Sequence, residues 1–209
     1  MVFLMKQKHF IDSHKCATFA AVLFLISYFE AWDNLTLWIY LGLHGTYGIL
    51  WMLKSLIFGD KQWEQRTSLL YGLLIWGALS LYWITPYLII KQSSQPPGWY
   101  LCLCIMLFVL GVFLHFTADM QKTVTLELKK GLIRTGMFKY CRNPNYVGEL
   151  FIYLGFSLLA IHWIPLAVLA LFIIVVWIPN MIRKDKSLSR YEEFTNYKKR
   201  TFAFIPLIY

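Results

Sequence analysis

Long apolar runs separated by short polar or basic stretches dominate this chain. They fall at about 17–33, 36–57, 67–90, 98–118, 145–161 and 163–182. Each is near the roughly 20 residues a helix needs to cross a bilayer. The first closes on Glu30 and Asp33 and the fifth opens on Glu149, so these two are the least purely apolar. Ile161-His162-Trp163 leaves room only for a tight turn, which predicts a helical hairpin from the last two runs. Gln92 to Gly98 is a turn-rich connection. Thr123 to Leu128 alternates polar and apolar, predicting a short extended or interfacial piece, and Gly131 and Gly136 then interrupt regular structure. No low-complexity segment or internal repeat divides the chain. The pattern predicts one membrane domain over residues 1–209, an all-α integral membrane bundle of about six transmembrane helices.

Composition agrees. Hydrophobic residues make up 58% and charged residues 15% of the chain, with a mean hydropathy of +0.53. A soluble domain of 209 residues could not hide that much apolar surface. With six spans, the N-terminus, the 58–66 loop, the 119–144 loop and the C-terminal tail share one face. If Lys54 snorkels to it, that face carries 19 of the 20 Lys and Arg residues, and Lys91 lies opposite with Asp33. The positive-inside rule then puts both termini in the cytosol, or in the matrix of a mitochondrion. An endoplasmic-reticulum, bacterial inner or mitochondrial inner membrane would each fit. The net charge of +9 sits beside membrane segments, so anionic headgroups or an anionic cofactor are expected partners and nucleic acid is not. Cys102 and Cys104 lie in a span, and Cys16 and Cys141 near the basic face, which predicts reduced thiols. No Cys/His spacing suggests a metal site. Met1 to Lys15 lacks a signal-peptide pattern, so the apolar run after it is expected to be retained.

The densest chemistry lies at Cys141-Arg142-Asn143-Pro144-Asn145-Tyr146-Val147-Gly148-Glu149, where a basic loop enters an apolar helix. Asn143 suits an N-cap and Pro144 the first helical position. Arg142 then sits beside an amide-rich helix start that attracts phosphates and carboxylates. Asn145, Glu149 and Tyr153 follow at i, i+4 and i+8, on one face of the helix. A carboxylate one turn into an apolar helix needs a partner or a proton, which Arg142, Lys122, Arg183 or a ligand amide could supply. It could also be a helix-start glutamate favoured by the macrodipole. In the second span Tyr40, His44, Tyr47, Trp51 and Lys54 share one arc at 4-3-4-3 spacing. Gly42, Gly45 and Gly48 permit close helix packing, so this stripe could line a cavity or hydrogen-bond across a helix interface. His115, Asp119 and Lys122 stand at i, i+4 and i+7, able to hold a cofactor or to form a surface salt bridge of little consequence. Arg183 to Lys186 and Lys198-Lys199-Arg200 read as positive-inside anchors. There is no GxGxxG, P-loop or GxSxG.

These motifs resemble the membrane-embedded superfamily of steroid 5α-reductases, sterol reductases, and isoprenylcysteine and phospholipid methyltransferases. The branch they resemble most is named for the steroid 5α-reductase C-terminal domain, and it is largely without assigned function in bacteria and protists. Leu43-His44-Gly45-Thr46-Tyr47-Gly48 with Trp51 and Lys54 is similar to its second-span signature. Ala118-Asp119-Met120-Gln121-Lys122 resembles its D-x-Q-K element, and Gly131 through Glu149 its G-L-I…G-x-F…R-H-P-N-Y-x-G-E run. Lys186 to Tyr191, Tyr197-Lys198 and Ile205-Pro206 complete its tail.

The resemblance implies NADPH held at the basic face by Asp119, Lys122, Tyr140, Arg142, Asn145, Tyr146, Glu149 and Arg183, its nicotinamide pointing into a cavity lined by earlier spans. Reduction of a conjugated carbonyl needs a donor for the developing enolate oxygen, and His44 or Tyr47 suits that role, with Glu149 also placed in the catalytic group. Two departures bear on this. Asn143 replaces the histidine of R-H-P, and the tail lacks the paired-glutamate-then-Phe-Gly element common in S-adenosylmethionine-dependent methyltransferases. The expected function is therefore an NADPH-dependent reductase of a lipid-like or steroid-like enone. The alternatives are a non-catalytic accessory subunit of a larger, for instance mitochondrial, membrane complex with a bound lipid or no ligand, and a lipid or isoprenylcysteine methyltransferase.

Overall fold

The computed structural model describes residues 5–205; Met1 to Leu4, and Pro206 of the tail element with the three residues after it, lie outside them. The described residues are helical almost throughout. The order is β1 (Met5–Lys6), α1 (Gln7–Tyr28), α2 (Leu35–Phe58), β2 (Arg66–Thr67), α3 (Leu69–Ser80), α4 (Ile84–Lys91), α5 (Gly98–Leu128), α6 (Pro144–Ser157), α7 (Trp163–Phe172), α8 (Ile178–Leu188) and α9 (Phe194–Lys199). A 3-10 turn at Leu81–Trp83 joins α3 to α4, and a π-helical turn at Ile173–Trp177 joins α7 to α8. Four continuous helical stretches, Gln7–Tyr28, Leu69–Lys91, Gly98–Leu128 and Trp163–Leu188, are long and apolar enough to cross a membrane. This is an all-α integral membrane protein, and all six predicted apolar runs fold as helix.

Several boundaries differ from the sequence reading. The first helix begins at Gln7, well before residue 17. The fourth runs on to Leu128, so Thr123–Leu128 is helical and not extended. Alternation over six residues is too short to outweigh a helix already propagating from Gly98. The sixth continues through Leu188.

The chain forms two compact units, one from Met1–Ile105 with Gly155–Val168 and the other from Met106–Leu154 with Leu169–Tyr209. In the first, α1 buries Phe10, Ile11, His14, Lys15, Thr18, Val22 and Ile26, a face at i+3/i+4 spacing. A β-carbon on Gly48 would fall 2.9 Å from the Lys15 carbonyl oxygen, so glycine sets how closely α2 approaches α1. Asn34 caps α2 through its side chain, which accepts from Leu37 N at 3.2 Å. The break between α3 and α4 has a covalent cause. Pro86 has no N–H to offer the Tyr82 carbonyl four residues back, and the Tyr40 hydroxyl donates to that carbonyl instead, at 3.2 Å. In the turn after α6, Ser94 Oγ donates to Ala160 O at 3.1 Å and Tyr100 OH to Leu158 O at 3.0 Å. Ile161 there takes a left-handed φ of 49°.

β1 and β2 pair antiparallel, Met5 opposite Thr67 and Lys6 opposite Arg66. Glu64 draws both Lys6 (2.6 Å) and Lys8 onto its carboxylate. Hydrogen bonds from Lys6 and then Lys8 lower its pKa to about 2 from 4.5.

In the second unit, α5 and α6 cross where two glycines meet. A β-carbon on Gly111 would fall 2.6 Å from the Gly148 carbonyl oxygen, and one on Gly148 would collide with the backbone of His115. The π turn before α8 is explained by Pro179, which cannot bond the Val175 carbonyl one turn back.

Two measurements check these features. Gly148→Ala should cost about 1–3 kcal/mol by overpacking, read as a fall in the melting midpoint of the detergent-solubilised protein. Because the folded pKa of Glu64 lies below its ordinary value, its ion pairs are complete above about pH 4.5 and are lost as pH falls towards 2. Amide exchange of Gln7, whose N–H donates to Gln65 O at 3.0 Å, and of Thr67 should therefore quicken across that window in the native protein, and show no such step in Glu64→Gln.

Candidate functional site

In the first unit the α2 stripe is buried together. Tyr40 and Tyr47 are fully buried, His44 is 1% exposed, and Trp51 and Lys54 are buried beside them. Tyr40 OH pairs with His44 Nδ1 at 2.7 Å, and the His44 ring lies parallel to Phe156, 4.4 Å away. The imidazole is thus fixed from one side and one edge. Lys15 reaches over the Tyr47 ring, its ammonium 4.1 Å from the centroid, and Lys54 lies 4.7 Å from that of Trp51. Trp51 Nε1 and Ser55 Oγ donate to Asp12 at 3.0 and 2.8 Å. His14 stacks on Trp83 and meets the edge of Trp76, both at 5.1 Å, and Trp83 Nε1 donates to Thr18 Oγ1 at 3.0 Å.

The sequence reading missed the α1 half of this cluster because it began the first span at residue 17. Asp12, His14 and Lys15 look like interfacial polar residues when taken singly. The usable signal was their register with Thr18 and Val22, which puts them on one helical face with apolar neighbours.

The second unit gathers the predicted α5 residues at the start of α6. His115 and Asp119 are 2% and 3% exposed. His115 Nδ1 lies 3.1 Å from the Asn145 carbonyl oxygen, which favours the Nδ1–H tautomer donating there. Asp119 meets His115 Nε2 at 3.8 Å and Lys122 Nζ at 3.6 Å, separations wider than direct hydrogen bonds. The surface-salt-bridge alternative does not describe this carboxylate, which is almost wholly buried. Asn145, Tyr146 and Glu149 are half-buried along the same helix start. Tyr146 and Tyr153 pack on Trp177 at 5.5 and 6.1 Å between centroids. Tyr140 is 66% exposed, and Arg183 is exposed with Nη2 donating to Asn180 Oδ1.

Arg142 and Asn143 are engaged differently from the expectation of a ligand-facing helix start. Arg142 is 2% exposed. Its guanidinium donates to Asp185 Oδ1 (3.2 Å), Thr201 O (2.6 Å), Thr201 Oγ1 (3.2 Å) and Lys198 O (3.3 Å). Asn143 holds the position before Pro144, and its carbonyl takes the first helical N–H of Tyr146 at 3.1 Å. Its side chain is spent on the tail: Nδ2 donates to Ala203 O at 2.6 Å and Oδ1 accepts from Lys184 Nζ at 3.0 Å. Backbone bonds from Arg142 N to Phe202 O and from Phe202 N to Tyr140 O complete the join. Tyr197 OH donates to Phe138 O at 2.7 Å, and burial pushes its pKa up to about 12, so it stays a donor. Gln121 of the D-x-Q-K element accepts from Met137 N and donates to Thr135 O, both at 2.9 Å, over Gly136 with its φ of +58°.

A groove of about 580 Å³ also opens in this unit. It is lined by Leu150, Ile173, Ile178, Met181, Ile182, Phe204 and Ile205, with Arg142, Asp185 and Lys198 among its charged residues. Among the described residues no group of three or more His, Cys, Asp and Glu is placed to hold a metal ion.

Residues 3–201 match a family described as a protein of unknown function, DUF1295. Among curated proteins, the chain is 27% identical over 162 residues to the cobalt-zinc-cadmium resistance protein CzcN of Cupriavidus metallidurans, covering 76% of this chain and 60% of that protein. It is 27% identical over 134 residues to 3-oxo-5-alpha-steroid 4-dehydrogenase 2 of Macaca fascicularis, covering 59% of this chain and 50% of that protein. The chain therefore spans only about half to three-fifths of the length of these relatives. A steroid dehydrogenase among them agrees with the superfamily that the motifs resemble.

The tail join predicts a simple readout. Burial raises the pKa of the Cys141 thiol, and its Sγ donates to Phe204 O at 3.2 Å. Arg142→Ala leaves Asp185 without its buried cation, a change of the kind that costs about 3–5 kcal/mol. It should free the tail, so that trypsin cuts at Lys198–Arg200 and iodoacetamide modifies Cys141 at neutral pH, both of which the native protein resists.

Proposed function

This chain belongs to the protein family of unknown function DUF1295, and from that membership we propose that it is a membrane-embedded, NADPH-dependent reductase of a lipid-like or steroid-like enone. The observation that carries the reading is the buried His115 and Asp119 of α5, with half-buried Lys122 beside them, set against the Asn145–Glu149 start of α6. Polar and charged groups gathered at the end of an apolar bundle carry a desolvation cost, and sites that receive polar ligands are where such groups collect. One relative acts, by its name, on 3-oxo-5-alpha-steroids.

The residues present fit the cofactor. Lys122 and Arg183 supply cations for its phosphates, and Tyr146 an aromatic face. Asn145 and Glu149 offer groups for a carboxamide, while Asp119, held by Lys122 and His115, keeps that lysine in place. Tyr140 lies at the exposed rim. Arg142 acts here through the tail it holds. NADPH, when bound, supplies a hydride. Tyr47 or His44 of α2 is the proposed hydrogen-bond donor to the substrate oxo group, its orientation set by Lys15 or by Tyr40 and Phe156. The basic face, with both termini, lies on the cytosolic or matrix side, where NADPH is available.

A second reading, a non-catalytic accessory subunit with a bound lipid, has one observation in its favour. The side chains of Arg142 and Asn143 are consumed by the protein's own tail.

Calorimetric titration of the purified, detergent-solubilised chain separates these readings. NADPH should bind, and Glu149→Gln should weaken it at least tenfold. In a turnover assay on a steroid enone, Tyr47→Phe should lower the rate about 10²–10⁴-fold while leaving NADPH affinity intact. Binding of S-adenosylmethionine alone would move the chain to the methyltransferases. Binding of neither by folded protein would make the accessory-subunit reading the leading one.

A further inference from the structure

The groove in the second unit is separate in character from the polar face of α5 and α6. Its walls are apolar: Leu150 from α6, Ile173, Ile178, Met181 and Ile182 from the last membrane helix, and Phe204 and Ile205 from the tail. At about 580 Å³ it is in the range of small-ligand sites, which run roughly 300–1,000 Å³. Its shape follows from the helix that builds it. Positions five apart in an α-helix point about 140° away from one another. The π turn at Ile173–Trp177 brings Ile173 round towards the side of Ile178, and Ile182 follows one α turn later. A continuous apolar wall of roughly 13 Å, nine residues at the helical rise, therefore runs from Ile173 to Ile182. Just beyond Ile182 stands Asp185, with Arg142 and Lys198.

The charge at that end has a definite sign. Among the described residues Asp185 is the single carboxylate lining the groove, and it lies 3.2 Å from Arg142 Nε and 3.8 Å from Lys198 Nζ. Two cations to one carboxylate leave the end positive. Arg142 is 2% exposed and committed to the tail, whereas the Lys198 side chain is 53% exposed and can turn to a ligand. Lys199 and Arg200, both exposed, follow it at once. An apolar slot on a membrane helix, closed at its interfacial end by surplus basic charge, matches one chemistry: an acyl chain under an anionic headgroup.

We infer that this groove is a binding site for one anionic glycerophospholipid, an acyl chain lying along Ile173, Ile178 and Ile182 and the phosphate at Lys198. The inference stands apart from the proposed reductase activity, because it invokes neither the cofactor nor the α2 stripe.

The test uses the full chain, delipidated in detergent and offered equal amounts of phosphatidylglycerol and phosphatidylcholine. Native mass spectrometry counts what is retained. The protein should keep one phosphatidylglycerol in preference to phosphatidylcholine. Lys198→Glu, a change at an exposed side chain, should reduce that preference about fivefold or more. Lys61→Glu, in the first unit, should leave it unchanged. Ile178→Trp, which fills the slot, should abolish retention of both lipids while the melting midpoint stays near that of the native protein. Equal retention of the two lipids by the native chain would overturn the inference, and so would a preference that survives Lys198→Glu. If Ile178→Trp does not fold, the Lys198→Glu comparison decides alone.

Discussion

The guanidinium of Arg142, removed from solvent beside a membrane helix, has to be neutralised and hydrogen-bonded by the protein. That requirement organises the basic end of the second unit. Asp185 of α8 supplies the charge, and the carbonyls of Lys198 and Thr201 supply acceptors. The chain between α8 and residue 201 must therefore fold back on the α6 start. Once it has done so, Asn143 and Lys184 close the remaining polar groups against one another and against Ala203. A buried ion pair of this kind is poor evidence for stability, because desolvation offsets most of its attraction. Its effect is on geometry. The tail is fixed in one arrangement, and with it one wall of the apolar groove.

The first unit meets the same constraint by other means. Its polar side chains are dispersed among aromatic rings: Lys15 over Tyr47, Lys54 over Trp51, His14 between Trp76 and Trp83. Ring faces attract cations without bringing in carboxylates that would need neutralising in turn. Asp12 shows how a carboxylate is handled there, by an indole N–H and a hydroxyl. Tyr40 ties this set together, pairing with His44 and serving the carbonyl that Pro86 leaves open.

Much of this was legible in the sequence, and unevenly. The bundle followed from apolar runs of membrane-crossing length, and the α2 stripe from its 4-3-4-3 spacing, since both are local periodicities. Asp119 and Asn145 could be nominated because each lay in a recognisable motif, and His115 because it stands one turn before Asp119, although only the fold shows that His115 reaches the Asn145 carbonyl. The destination of Arg142 and Asn143 was not legible. Their partners lie some 40 to 60 positions away in the chain, and nothing in residues 141–149 separates an arginine awaiting a phosphate from one awaiting a threonine carbonyl. The α1 cluster was lost for a different reason. A stretch carrying Asp12, His14 and Lys15 reads as leaving the membrane when its neighbours are unknown.

The burial of that α1 face bears on how the protein is made. A helix of 22 residues with Asp12, His14 and Lys15 on its packed side is a poor solitary substrate for the insertion machinery, where each charged residue near a helix centre costs about 2.5–3.5 kcal/mol. The aromatic rings and hydroxyl that shelter those groups are on α2 and on the segments after it, all synthesised later. The polar face of α1 is thus sheltered only once α2 and the segment through Trp83 have been made, so that its lodging in the bilayer depends on residues that follow it in the chain.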